Sequence, residues 1–295
     1  MILRCLLGLP VLLALLTSAC EQGARAMQEP ENVSTVVDSA GSAPVLTAED
    51  ARRKTAYEGR VIHLLVALCD NEYQGIVPVP ARIGNGDDPA RNLYWGAAYG
   101  VKTFFSRAKE WKLVMTDRDT ASGILERLVF RHKTHDAYLV ADAYRGREIR
   151  DCTIDFLRFA AGDGAALIPL SHDNRRTSIP AGGAADLVAY IGHDGLMDFS
   201  LDTLPQKADD RRRDAIILAC ISRKFFREPL RAAGANPLLL TTGLMAPEAY
   251  VMKAALDGWL LGEDGEKIRS RAAESYNHYQ KCGIKAARGL FVTGG

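Results

Sequence analysis

The sequence predicts an α/β protein with a doubly wound, mostly parallel sheet and helices on both faces, and three observations carry that prediction. Short apolar runs recur along the chain, each the length of a strand buried on both faces. Segments with apolar residues at helical spacing separate most of them. Polar residues gather directly after the apolar runs, the place where open α/β sheets bind ligands. Residues 52–295, in a chain of 47% apolar composition, suit one large domain with a substantial core.

Taken in order, the strands are expected at residues 61–68, 112–115, 184–191, 215–219 and 238–242. Residues 137–141 form a further strand or an extended entry into a helix. A first long helix is expected over residues 89–109, where Leu93, Ala97, Tyr99, Val101 and Phe104 or Phe105 fall near helical spacing. Asp87 or Asp88 would cap it, and its aromatics read as core. Residues 148–161 form an amphipathic helix through Ile149, Cys152, Ile154 and Leu157. Residues 246–259 and 265–280 read as a helical C-terminal layer. No internal repeat is visible.

The first residues follow a different logic. Arg4, the apolar run 5–16 and the small residues Thr17, Ser18 and Ala19 have the order of a cleavable signal peptide. The run is shorter than the roughly 20 residues a spanning helix needs, and Pro10 interrupts it. Residues 16–20 resemble the bacterial lipobox, which implies a signal peptide over residues 1–19 and a lipid, such as palmitate, on Cys20. A plain secretory signal is the alternative. Glu21 is not the Asp that favours inner-membrane retention, so the expected location is the bacterial cell envelope, on the outer membrane facing the periplasm. Residues 20–51 carry Glu, Gln, Ser, Gly, Pro and Ala and read as a flexible linker; Asn32-Val33-Ser34 belongs to it rather than to a glycan site. No later segment is long and apolar enough to span.

A net charge of +1 argues against a nucleic-acid partner. The run Arg211 to Arg213 is flanked by Asp209, Asp210 and Asp214 and reads as a solvated loop. With Cys5 in the signal and Cys20 lipidated, Cys69, Cys152, Cys220 and Cys282 remain in an oxidising compartment, where two disulfides are possible. The run Gly84 to Asp88 lacks the EF-hand spacing and reads as a flexible loop. His63, His132, His135, His172 and His278 make no metal-binding spacing.

The polar residues at the strand ends are Cys69-Asp70-Asn71, Thr116-Asp117, His193-Asp194, Cys220 and Thr241-Thr242. They point to one site on one edge of the sheet. A nucleophilic cysteine needs a thiolate, an oriented imidazole and donors for an oxyanion. In the run from Asp186 to Gly195 an apolar strand delivers His193, Asp194 and Gly195; in the run from Ile216 to Phe226 another delivers Cys220. Ser222 is placed to cap the next helix, whose dipole, with Arg223 and Lys224, would favour thiolate.

These two strand ends resemble those of the caspase, legumain and gingipain superfamily of cysteine peptidases, where one strand ends in His-Gly and the next in a Cys after a small residue. The segment 143–149, leading to Phe156 and Leu157, is similar to the helix preceding the histidine strand in legumain-type members. The resemblance implies a six-stranded caspase-like sheet, a Cys220–His193 dyad acting through a thioester, and oxyanion donors from the backbone of Gly195 and Cys220. It implies a peptide or protein substrate and no metal or organic cofactor. In that topology Asp70 or Asn71 could orient the imidazole or bind a substrate amine, with Cys69 as a redox partner of Cys220; a turn with Cys69 in the core is the alternative. Around the site, Arg223 and Lys224 would attract acidic side chains, and Asp117, Asp194 or Asp198 basic ones. Asp194 stands between His193 and Gly195, and no glycine follows Cys220. The alternative function is therefore an inactive lipoprotein that binds a ligand or partner in the strand-end cleft, and a structural disulfide at Cys220 is a third. Residues 204–213 read as a connection open to cleavage.

Overall fold

The computed structural model describes residues 46–120, 123–172 and 175–294. The expected signal peptide, Cys20 and the expected linker up to residue 45 lie outside the described residues. In chain order the elements are α1 (Ala48–Lys54), β1 (Arg60–Ala67), α2 (Val101–Arg107), β2 (Trp111–Asp117), β3 (Ile124–His132), β4 (Ala137–Tyr144), α3 (Ile149–Ala161), β5 (Ala166–His172), β6 (Arg175–Ala181), β7 (Leu187–Ile191), β8 (Asp214–Leu218), α4 (Ser222–Ala233), β9 (Asn236–Thr241), α5 (Ala249–Leu260), α6 (Gly265–Gln280), α7 (Ile284–Leu290) and β10 (Phe291–Val292).

The main sheet has the order β10-β9-β8-β7-β1-β4-β3-β2, and β5 with β6 forms a separate hairpin. Eight strands thus replace the six expected. The centre, β4-β1-β7-β8-β9, is parallel throughout, while β2, β3 and β10 add antiparallel flanks. Side chains of a buried strand alternate between two faces, and β1 shows it. Ile62, Leu64 and Val66 enter one core with residues of α2, α5 and α6; Val61, Leu65 and Ala67 enter the other with residues of α3 and α4. Among the described residues no helix is long and apolar enough to cross a membrane.

Several expected elements are corrected. The helix expected over 89–109 survives only as α2, because Asn92 and Gly96 hold the preceding residues in turns. The Asn92 side chain bonds the backbone of Cys69 and Asn85, and a Cβ on Gly96 would sit 2.2 Å from the Ala90 carbonyl oxygen. The cap is Gly100 rather than Asp87 or Asp88. β2 is an edge strand with several exposed side chains, not a strand buried on both faces. Folded structure also begins inside the expected linker. Thr47 accepts a hydrogen bond from the Asp50 amide at 3.0 Å and caps α1, whose Ala48 and Ala51 pack with Ala184.

Candidate functional site

The site forms where β7 and β8 end side by side. Ile191 pairs with Leu218 and also with Val66 of β1. His193 and Cys220 each stand two residues beyond that paired position, just past the ends of adjacent parallel strands. Gly192 makes the exit possible: at φ 156° its amide donates to the Leu218 carbonyl at 3.3 Å, and a Cβ there would press on the Ala67 carbonyl oxygen at 3.0 Å. Beneath the exit, the buried Tyr190 donates its hydroxyl to the His193 carbonyl at 2.7 Å. Tyr190 in turn packs edge-on with Phe156 and tilted against Phe226, joining α3 and α4 under the strand ends.

His193 is almost fully buried, and its Nε2 lies 2.8 Å from Asp198 Oδ2. The same carboxylate oxygen accepts the Gly75 amide at 2.9 Å. A carboxylate accepts, so Nε2 is the donor in this contact. Among the described residues Nδ1 has no protein hydrogen-bond partner. Asp198 therefore fills the orienting role expected of Asp70 or Asn71. It stands five residues after the histidine, on the far side of a single 3-10 turn at Gly195–Met197.

Cys220 lies against the loop after β9. Its sulfur is 3.5 Å from the Met245 amide nitrogen and 3.7 Å from the Met245 carbonyl oxygen. Burial pushes the thiol up, the Met245 amide opposes this, and Asp194 adds to it. Burial is the largest of these influences and disfavours the thiolate, against the direction expected from Arg223, Lys224 and the helix dipole. The next residue is strained. Ile221 adopts φ 51°, ψ 30°, a left-handed conformation that a β-branched side chain rarely takes, and its amide donates to the Gly243 carbonyl at 3.0 Å. Strain of this kind collects at functional sites.

Asp194 is fully buried. One oxygen caps the 3-10 turn by accepting the Leu196 amide at 3.1 Å; the other has no partner. Burial, with a further push from Asp198 and against the Leu196 amide, raises its carboxyl to about 7. It is placed to act on Cys220 and not to meet a basic side chain in solvent. Gly195 is close-packed: a Cβ there would lie 2.8 Å from Phe199 and 3.1 Å from Thr153 Oγ1.

The remaining candidates serve the frame. Asp70 accepts the amides of Glu72 and Tyr73 at 2.9 and 3.2 Å, and Asn71 clamps Val79 through both its amide groups. Both are turn builders. Cys69 is buried and shares a hydrogen bond with the Tyr94 hydroxyl, and burial pushes its thiol up to about 11. Tyr94 is also within electrostatic reach of Cys220. Ser222 does not cap α4; Ile221 holds that position. Instead Ser222 and Thr241 bond each other at 3.0 Å and join the start of α4 to the end of β9. Thr242 donates to the Gly289 carbonyl at 2.7 Å and fastens α7. Asp117 ends β2, four strands from β7 and so roughly 19 Å away. Cys69, Cys152, Cys220 and Cys282 are all free thiols, so no disulfide ties Cys220 to Cys69.

Around this edge lie exposed apolar residues from three loops: Tyr73 and Val77 after β1, Met197 after β7 and Leu244 after β9. The loop at Gly84–Asp88 is tied down, with Asp87 pairing both Arg145 and Arg147 at 2.6 Å. Among the described residues no group of three or more His, Cys, Asp or Glu side chains is arranged to hold a metal ion. No family model, curated protein or solved structure matches the chain.

Proposed function

We propose that the chain is a cysteine peptidase of the caspase, legumain and gingipain type, held on the bacterial envelope through a lipid on Cys20. One observation carries the catalytic part: His193 and Cys220 leave adjacent parallel strands at the same register, and the imidazole is already held by Asp198. The parallel order β4-β1-β7-β8-β9, with the histidine and cysteine strands as neighbours, also supports a caspase-like arrangement.

In this reading Cys220 rests as a thiol. His193 Nδ1 takes its proton as the sulfur attacks the scissile carbonyl carbon, and Asp198 stabilises the imidazolium. The N–H groups of Gly195 and Cys220 receive the oxyanion. As the intermediate collapses, the C–N bond breaks, the imidazolium gives its proton to the leaving amine and a thioester remains on Cys220. Water then attacks, with His193 as base; the C–S bond breaks, the acid product leaves and the thiol returns. The test is hydrolysis of a mixed peptide pool, read by mass spectrometry, with the wild type and with Cys220→Ala and His193→Ala. Cleavage by the wild type alone supports the reading, and equal cleavage by all three sinks it. For the anchor, Cys20→Ala should move the protein out of the membrane fraction, and retention there would overturn it.

The raised Cys220 thiol beside the buried Asp194 favours a second reading, an inactive domain that binds a partner at the same edge. It predicts that Cys220→Ala leaves cellular function intact in a complementation assay.

A further inference from the structure

α4 turns a concentrated positive charge toward the solvent beside Cys220. Arg223, Lys224, Arg227 and Arg231 recur at spacings of three and four residues, so they share one helical face, and all are exposed. The opposite face, with Phe226, Pro229, Leu230 and Ala233, is buried. The exposed face lines a groove of about 690 Å³ whose other walls are Ile221 and Thr242. A smaller depression of about 270 Å³ shares Arg223 and Arg227 and continues toward the Arg269–Glu266 ion pair. Ile221 is the residue bonded to Cys220, and Thr242 directly follows β9, so the groove begins at the strand end that carries the sulfur.

Three of its four cations have no carboxylate partner among the described residues. Elsewhere this protein pairs its arginines closely: Arg127 with Asp142, Arg213 with Asp209, Arg271 with Glu263 and Arg52 with Asp186. Among the described residues Arg223, Lys224 and Arg231 have no carboxylate within ion-pair distance. Glu228 also lines the groove, and these three cations against one carboxylate leave an excess of two positive charges. The whole chain carries a net charge of only +1, so this excess is local. Like charges on one helix face oppose each other, and an anionic ligand would relieve that.

We propose that the α4 groove is a subsite for acidic side chains of the peptide cleaved at Cys220, a proposal that rests on the peptidase reading and names its substrate class. A concave wall interrupted by Glu228 fits separate carboxylates on an extended peptide. A lipid surface would ask for a flat face, and a nucleic-acid backbone for an uninterrupted cationic track.

The test separates binding from chemistry. The full-length chain carrying Cys220→Ala, in detergent, is titrated against a fluorescein-labelled glutamate-rich peptide and its glutamine counterpart, with anisotropy as the readout. The glutamate peptide should bind at least about tenfold more tightly at low ionic strength, with the advantage shrinking as salt rises. The combined variant Arg223→Gln, Arg227→Gln, Arg231→Gln should abolish the advantage. If a melting curve shows that this variant does not fold, Arg231→Gln alone should weaken binding of the glutamate peptide about threefold. Equal affinities for the two peptides, or an advantage untouched by these substitutions, overturn the proposal. Displacement of the peptide by phosphatidylglycerol vesicles, but not by phosphatidylcholine vesicles, overturns it in favour of a membrane-facing surface. Selective binding without cleavage by the wild type leaves the subsite standing and removes the peptidase reading. Cleavage of both peptides at equal rates does the reverse.

Discussion

Two histidine–aspartate pairs lie on the same sheet and are built to opposite ends. In the first, His63 Nε2 is 3.0 Å from Asp142 Oδ2, Arg127 grips both Asp142 oxygens at 2.6 Å, and His63 Nδ1 accepts the Gly182 amide at 2.8 Å. Every polar atom of the imidazole and the carboxylate is used. Burial opposes ionisation of Asp142, but Arg127 and His63 outweigh it and hold the carboxyl down to about 2. In the second, His193 uses one ring nitrogen, and the neighbouring Asp194 has an oxygen with no partner and a carboxyl raised to about 7. A saturated network fixes a structure. An unsaturated one keeps capacity in reserve for a reaction or a ligand.

Four measurements would sharpen or break this contrast. The largest effect should come from Cys220→Ala, which is expected to lower peptide hydrolysis by about 10⁴-fold or more and to shift urea-unfolding stability by less than about 1 kcal/mol. A comparable loss of stability would move Cys220 to the structural side. Next, Asp142→Asn should destabilise the fold by about 3–5 kcal/mol, because it takes the charge out of a fully buried carboxylate that His63 and the half-buried Arg127 are both arranged to bind. The wild-type contribution of Asp142 is present above the unfolded carboxyl value near 4 and is lost as pH falls toward 2. Urea unfolding of both proteins across that range should therefore converge in acid.

Asp198→Asn should cost about 10²-fold in kcat with little change in KM, since it leaves the imidazole in place but removes the charge that stabilises the imidazolium. An unchanged kcat would mean that the hydrogen bond to His193 is only structural. The smallest effect is expected from Asp194→Asn. Below pH 7 wild-type Asp194 is protonated, and the two proteins should alkylate at Cys220 at equal rates. Above pH 7 its charge opposes the thiolate, so the variant should react about two- to threefold faster at pH 8 with iodoacetamide, each cysteine being read by mass spectrometry. Identical profiles through pH 9 would show that Asp194 does not govern Cys220.

The α/β class, the parallel central strands and α6 over its full span were legible in the sequence, because unbroken apolar runs and helical periodicity report burial directly. β3 was not, since Glu126, Arg127 and Arg131 interrupt its apolar pattern. Glu126 is paired with Lys102 and Arg118 and bonded by Trp95, partners that come from other parts of the chain. The hairpin of β5 and β6 was missed as well, and its Arg175, Arg176 and Pro180 hide a strand signal. At the site, His193 and Cys220 could be read from the apolar runs that deliver them. Asp198 could not be assigned its part, because nothing local distinguishes it from Asp70, Asn71 or Asp194.

By itself, then, the sequence determined which strands are buried and which polar residues follow them, because backbone periodicity and burial are written in consecutive residues. Tertiary structure decided the partners: the register that pairs Ile191 with Leu218, two residues before His193 and Cys220, the carboxylate that holds the imidazole, the oxygen of Asp194 left without a donor and, among the described residues, the cations Arg223, Lys224 and Arg231 of α4 with no carboxylate partner. Each of these depends on distances between residues far apart in the chain, and on desolvation, which is a property of the packed site and not of any segment within it.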